Sequence, residues 1–480
     1  MTLPRFFSRR PALALLLTAL TGASSRCQAY SPSQSAPAAG TVSGDGVRRE
    51  SRDSARPRNG TTLSIPTPSP SDPVTESTEE QRAFMRQSAR SAWNFVARSL
   101  SPGAGFVGAT DTYPYMTVWD MASTLAAIHS ARQLGLITPP QYQRAMDRSF
   151  ATIEKMPLYD KAAFNKLYAS NTGVMVDRRN AQSEKGYGWS VLDHGRLLTW
   201  LKIVGANDTA FTARAQAVVS RLDMSRLVRG GYLQGEDLNP ADGSSRRYQE
   251  GRIGYEQYAA EGFALWGTRA ERALDFATNG TPVMVYDQTV LADTRGNDLL
   301  TSEPFVMMGL ELGWTGPTWR SLSLAVLGAQ EARYKQTGIV TMVSEDAIPD
   351  PPAYFYYYLL YHNGKPFVVT TPAGDIAPSY PRWVSAKAAF GYHALAPSEY
   401  TWKALQTVRW GSALDRGWTA GVYEGTRNST RTFNLNTSAI VLEAAAYFER
   451  GCPLIQPTCP VNPASPASPA KPAKPAKPAS

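Results

Sequence analysis

The 480-residue chain holds only three cysteines and four histidines. With no HExxH pair and no cysteine cluster, it lacks the ligand spacing of a transition-metal site, so no metal and no cofactor are expected. GxSxG, the phosphate-binding glycine loop and the dinucleotide fingerprint are missing too, which removes three common catalytic frameworks. Past the N-terminus no stretch reaches the roughly 18 apolar residues of a membrane span. The net charge of +9 is gathered outside the central region, in the first residues, in GDGVRRESRDSARPR (44–58) and at Lys471, Lys474 and Lys477. The remainder is close to neutral and has no basic stripe, so nucleic acid is not expected as a partner. Strand patterns are few: YASNTGVMV (168–176) and KPFVVTT (365–371) suit short hairpins.

What is present divides the chain. Arg5, Arg9 and Arg10 precede a short apolar run and small residues, the pattern of a secretory leader over 1–29, cut after Ala23 or Ala29. Arg26 before Cys27 argues against lipid attachment there. Residues 30–76 are rich in Ser, Pro, Thr and Ala and read as a disordered linker, and 460–480 repeat Pro-Ala with Ser or Lys as an extended tail. A folded domain is expected over 77–459, exported to the periplasm or beyond and monomeric. Cys452 and Cys459 bracket a Pro-rich turn and are expected to form a local disulfide. Five sequons (Asn59, Asn207, Asn279, Asn428, Asn436) are read as incidental if the source is bacterial.

Within that domain two kinds of helix alternate. One kind is apolar almost all round: 117–131, 189–201, 255–267, 302–314, 382–395 and 435–448. The other has a charged face: 79–100, 139–156, 207–222, 317–334 and 398–413, with a short sixth at 269–277. A helix apolar all round is buried, and one with a polar face lies outside. Six inner helices alternating with six outer ones give an all-α (α/α)6 barrel, with short hairpins in the loops of one rim. Those loops are long and rich in acids, aromatics and glycine, which makes that rim the expected binding site.

Three acids are placed by this reading as catalytic candidates: Asp120 after Trp119, Glu256 between Tyr255 and Tyr258, and Glu303 ahead of Pro304. Paired carboxyl groups cleave glycosidic bonds, one protonating the leaving oxygen and the other activating water or attacking. Desolvation by neighbouring rings would suit Glu256 to the acid, and a helix N-terminus would suit Glu303 to the base. Flat rings suit the C–H faces of sugars, so Tyr115, Trp119, Tyr187, Trp189, Tyr255, Tyr286, Trp418 and Tyr423 are candidates for substrate binding, with Glu424 as a hydroxyl ligand. The aromatic run at 354–361 reads as a strand with one sugar-facing side. Glu311 and Glu443 lie deeper in their helices and read as structural. Asp193 and Arg196 stand three residues apart in one helix, the spacing of an ion pair that would fix the barrel wall and orient neighbouring carboxylates.

The stretches TVWDMASTLAAIHSARQLGLI, GYGWSVLDHGRLLTWL, YEQYAAEGFALWG, TSEPFVMMGLELGW and GWTAGVYEGT…LNTSAIVLEA, spread over 105–450, resemble a bacterial domain-of-unknown-function family similar to glucoamylase-like (α/α)6-barrel proteins of exported polysaccharides. The resemblance implies a glycan-active exported protein and brings no catalytic assignment. The leading expectation is a glycoside hydrolase acting on a bacterial polysaccharide such as a β-glucan, by an inverting two-carboxylate route. The alternatives are a non-catalytic glycan-binding or exopolysaccharide accessory protein, and a polysaccharide lyase drawing on Arg246, Arg247 and Arg252.

Overall fold

Helix starts in this chain are written by capping residues. Thr78, Thr117, Ser190, Ser385, Ser398 and Asn434 each accept a hydrogen bond from a backbone N–H of the first turn, satisfying donors that a helix leaves open. The computed structural model describes residues 77–459, save 240, 296, 297 and 414. The leader, linker and tail expected at 1–29, 30–76 and 460–480 lie outside the described residues.

Twelve helical segments build the barrel. They are α1 (Glu79–Ser99), α2 (Val118–Gln133), α3 (Pro139–Ile153), α4 (Val191–Asn207), α5 (Thr212–Val219) and α6 (Tyr255–Ala264). They continue as α7 (Glu271–Leu274), α8 (Glu303–Met307, prolonged by a π-turn over Met308–Leu312), α9 (Pro317–Thr337), α10 (Ala386–Leu395), α11 (Glu399–Val408) and α12 (Leu435–Arg450). The even-numbered helices pack in a closed ring, α2 on α4, α6, α8, α10, α12 and back to α2. The odd-numbered ones lie outside it. The molecule is an (α/α)6 barrel. From Val191 to Leu201 every residue of α4 is buried, as its apolar, nearly uncharged sequence requires.

Two elements depart from the expected pattern. The outer helix expected over 269–277 is two single turns, Glu271–Leu274 and Phe276–Asn279, followed by the hairpin Gly280–Val285/Gln288–Asp293. Asp275 accepts from the N–H groups of Ala277 and Thr278 and so starts a new turn in mid-segment. The hairpin packs on α9 and completes the wall there. The inner helix expected over 302–314 widens after one and a half turns into a π-turn that holds Glu311.

Short strands precede every inner helix: Tyr115–Met116, Gly188–Trp189, Ser245–Gln249, Gln288–Asp293, Trp383–Ser385 and Gly421–Tyr423. The larger rim sheets join Gly188–Trp189 to Tyr232–Leu238 and Ser245–Gln249, and Glu345–Asp346 to Tyr356–His362 and Lys365–Thr370. Gly188 has φ of 121°, and a Cβ there would overlap the backbone of Glu236, so only glycine admits this strand pairing. All these strands lie at the N-terminal end of the inner ring, where they wall one opening. Cys452 and Cys459 are joined, with Cα atoms 5.6 Å apart. No helix of the described residues is long and apolar enough to cross a membrane.

Candidate active site

Asp120 and Asp193 occupy the same position, the third residue of adjacent inner helices, yet their surroundings separate their roles. Asp120 closes a reciprocal capping box. Its Oδ2 accepts from Thr117 N and Thr117 Oγ1, both at 2.9 Å. Asp193 does not reach back to its cap backbone. Its Oδ1 lies 2.9 Å from Ser190 Oγ, and its Oδ2 takes only a long 3.4 Å bond from Trp119 N. Burial, with Glu250 and Asp120 nearby, pushes the Asp193 carboxyl up to about 8, whereas burial takes Asp120 to about 6. Asp193 is therefore a carboxylic acid at neutral pH.

The facing wall comes from the other sheet. Glu345 Oε2 pairs with Arg252 Nη2 at 2.5 Å and keeps 14% of its side chain open. The Tyr255 hydroxyl faces it. Burial raises the Glu345 carboxyl, and Arg252 opposes the shift. Beside it Lys387 meets Glu303 in an ion pair and stands 3.4 Å from Asp346. Burial takes Asp346 to about 7 against the pull of Lys387.

The floor between the walls is a polar network. Asn436 Nδ2 donates to Glu303 Oε1 at 2.7 Å, and its Oδ1 accepts from Arg196 (2.7 Å), Ser123 (3.2 Å) and Trp119 Nε1 (3.3 Å). In the first turns of the inner ring only Trp119 and Asn436 keep partial exposure. The opening into the barrel therefore lies where α2 meets α12, with the Trp119 ring as its one flat face. Trp119 touches Tyr255, ring centroids 5.8 Å apart. Asp193, Trp119, Tyr255 and Glu345 thus follow one another around the mouth.

Several expected site residues are placed otherwise. Arg196 does not pair with Asp193. It points into the barrel to Glu443 (3.2 Å) and Glu311 (3.7 Å), under the Trp119 ring. Asp193 sits where the cap holds its side chain at the helix mouth, a turn away from those acids. Glu256 is fully buried and ion-paired with Arg295, which also holds Asp293, so it is closed to water. Glu424 is bound by both nitrogens of Arg333 and by Tyr358 at 2.5 Å. Trp189 and Trp418 are fully buried, their Nε1 donating to Gln234 O and Ser88 O, and cannot stack on a sugar. Tyr423 is tied to Asp350, and Tyr286 packs on Phe367 at the hairpin turn. Tyr115 and Tyr187 join Leu167 and Val176 in a small cluster on the rim above α2 and α4. In the aromatic run Tyr357 faces Arg252, Glu345 and Asp193, while Tyr356 and Tyr358 turn inward.

Glu250, Glu345, Asp346, Lys387 and Asn436 are at the mouth and were not among the expected residues. Lys387 carried a signal, being the single charge in the otherwise apolar 383–395. Glu345 and Asp346 form an acidic pair between apolar residues in MVSEDAI. Glu250 lies in a strand end too polar to mark it, and Asn436 is masked by its sequon. The four histidines take no part. Burial lowers His129, His194 and His393, and His362 pairs with Asp298. Among the described residues no group of three His, Cys, Asp or Glu could hold a metal ion.

Fold and mouth together define a six-hairpin toroid with an acid-lined opening. The chain belongs to the family described as a protein of unknown function, DUF3131, whose model matches residues 87–451. No curated protein matches it in sequence. Among solved structures it is similar to a glucoamylase candidate from Bacteroides caccae, with TM-score 0.56 and 14% identity over 78% of this chain and 94% of that one. A second glucoamylase candidate, from Bacteroides fragilis, gives 0.58 and 12% over 81% and 94%. An endo-β-1,2-glucanase from Chitinophaga pinensis, solved with sophorotriose and glucose, gives 0.55 and 11% over 78% and 96%.

Proposed function

We propose that this protein is a glycoside hydrolase of a glucan, with Asp193 as proton donor and Glu345 as the carboxylate that activates water. The observation carrying this reading is the buried Asp193 carboxyl, bonded to Ser190 and to the backbone N–H of Trp119, the residue whose side chain stays partly open at the mouth. A sugar ring stacked on Trp119 would bring its glycosidic oxygen beside Asp193. Hydrolysis then needs a second carboxylate in reach of water, and Glu345 is the most open acid on the facing wall. Tyr357 faces both carboxyls. An inverting route needs the two carboxyls roughly 6.5–9.5 Å apart with water between. Glu303, held by Asn436, Ser344 and Lys387, would fix the floor against which the sugar hydroxyls rest.

Similarity of fold to glucan-active proteins supports a glucan as the substrate class, and export remains our proposal from the leader-like N-terminus. A lyase reading is disfavoured because Arg252 and Arg247 are committed to Glu345 and Glu236, and Arg246 stands exposed on the rim strand. The test is a reducing-end assay of the purified 77–459 domain on β-1,2-glucan and a panel of bacterial glucans. D193N should retain the fold by circular dichroism and lose 10²–10⁴-fold in kcat, the usual worth of a general acid. Binding without cleavage by the wild type would establish the accessory role instead.

A further inference from the structure

The proton on Asp193 has a second claimant. Ser190 Oγ lies 2.9 Å from Asp193 Oδ1 and 2.9 Å from Glu250 Oε1, and it also accepts from Asp193 N at 3.3 Å. A hydroxyl has one hydrogen to donate and two lone pairs. It can give that hydrogen to one carboxyl oxygen only. The second carboxyl oxygen can approach equally closely without repulsion only if it brings its own hydrogen. With one carboxyl protonated, every position around Oγ is filled: one hydrogen given, one received from the acid, one received from Asp193 N. With both ionised, a carboxylate would face a lone pair at 2.9 Å.

The remaining oxygens agree with this count. Glu250 Oε2 accepts from Val191 N at 2.7 Å and Asp193 Oδ2 from Trp119 N, so the shared hydrogen belongs on the line Oδ1–Oγ–Oε1. A Cβ on Gly235 would overlap Glu250 Oε2, so a glycine gives this carboxyl its room. We infer that Asp193, Ser190 and Glu250 form a hydroxyl-bridged carboxyl pair holding one proton between them, with Glu250 the positioning residue that keeps Asp193 loaded. This rests on the assignment of Asp193 as donor.

In the reaction, Asp193 gives its proton to the departing glycosidic oxygen as the C–O bond breaks. Water supplies hydroxide to the anomeric carbon and its proton to Glu345. Glu345 releases that proton to solvent, and the pair takes one back, through either carboxyl, since exchange of donor and acceptor roles at Ser190 moves it from Glu250 to Asp193. The charged and titratable groups around the pair are Asp120 from α2, Tyr357 from the rim strand, and Lys166 and Asp237 beside Glu250. Lys166, which favours the charged form of Glu250, is shared with Asp237 at 2.5 Å, so the pair has only a divided counter-ion and the shared proton limits its charge.

Infrared titration of the carboxylic C=O band, on wild type, D193N, E250Q, S190A and S190T, tests this without substrate. In wild type the part of the C=O band that D193N removes should persist through neutral pH. In E250Q the midpoint of that band should fall by about one pH unit or more, as for strongly interacting acids, and the alkaline limb of kcat should fall with it. S190T should behave as wild type, whereas S190A, which keeps the Glu250 charge and removes the hydroxyl that lowers both carboxyls, should not lower the midpoint and should lose the cap. An unmoved midpoint in E250Q overturns the proton sharing. Should no glucan be cleaved by wild type while the band moves as stated, the hydrolase reading fails and the shared proton stands.

Discussion

At the scale of single residues, the distinction between Asp120 and Asp193 rests on one hydrogen bond. Both follow a hydroxyl cap by three, but Asp120 reaches back to its cap N–H while Asp193 leaves its oxygens to Ser190 and the mouth. Sequence spacing could not separate them, because side-chain rotation, not position, decides it. The consequence is measurable. A donor pushed up to about 8 is protonated below that value and lost as pH rises through it, so kcat should fall above about pH 8. An unchanged rate to pH 9.5 would remove Asp193 from the acid role. Glu256 shows the opposite failure: its aromatic neighbours suggested a raised, free acid, and burial does raise it, but Arg295, 39 residues away in sequence, takes the carboxylate. Such distant partners leave no local trace.

At the scale of elements, the alternation of buried and amphipathic helices was legible because 3.6-residue periodicity records which faces meet solvent. Of the rim strands, the pair Tyr356–His362 and Lys365–Thr370 was legible in the aromatic run and in KPFVVTT, whereas most others are two to seven residues long and take their stability from pairing across loops. The inner helices also meet more closely than periodicity can tell. Gly195 of α4 lies against Ala259 of α6, and Gly262 of α6 against the carbonyl of Gly195, so a Cβ at either would overlap the neighbouring backbone. G195A should force α4 and α6 apart and cost about 1–3 kcal/mol, read as a lower denaturation midpoint; a neutral result would show that the crossing is loose. Below the floor, Arg196 joins Glu311 of the π-turn to Glu443, with Trp200 and Tyr258 completing the bonds to Glu311. R196M leaves two buried acids without their cation, and a loss of about 3–5 kcal/mol is expected. The same change frees the Asn436 amide that holds Glu303.

At the scale of the whole molecule, these acids tie stability to pH. Asp120, Asp346 and Asp193 are raised to about 6, 7 and 8 by burial. A group raised in the folded state stabilises fully below its unfolded value near 4 and stops doing so as pH climbs through its folded value. Below about pH 6.5 the buried His129, His194 and His393 act in the opposite sense, so melting temperature should fall between about pH 6.5 and pH 8.5, and D193N should flatten that decline. A curve that rises over the interval would contradict the burial of these carboxyls. The ring closure itself was foreseeable from six helix pairs. What no periodicity conveys is that the opening narrows to one ring and one amide, where α2 meets α12.

That amide has a consequence for how the protein can be made. Asn436, Thr437 and Ser438 spell an acceptor for N-linked glycan, and in the folded chain the acceptor nitrogen is bonded to Glu303. A eukaryotic secretory host attaches sugar as the chain emerges, before the barrel has closed over that side chain. The attached oligosaccharide would occupy the very opening meant for substrate, so material from such a host should be inactive or misfolded. Bacterial expression, or N436Q tested alongside it, would separate loss by obstruction from loss of the Asn436 amide.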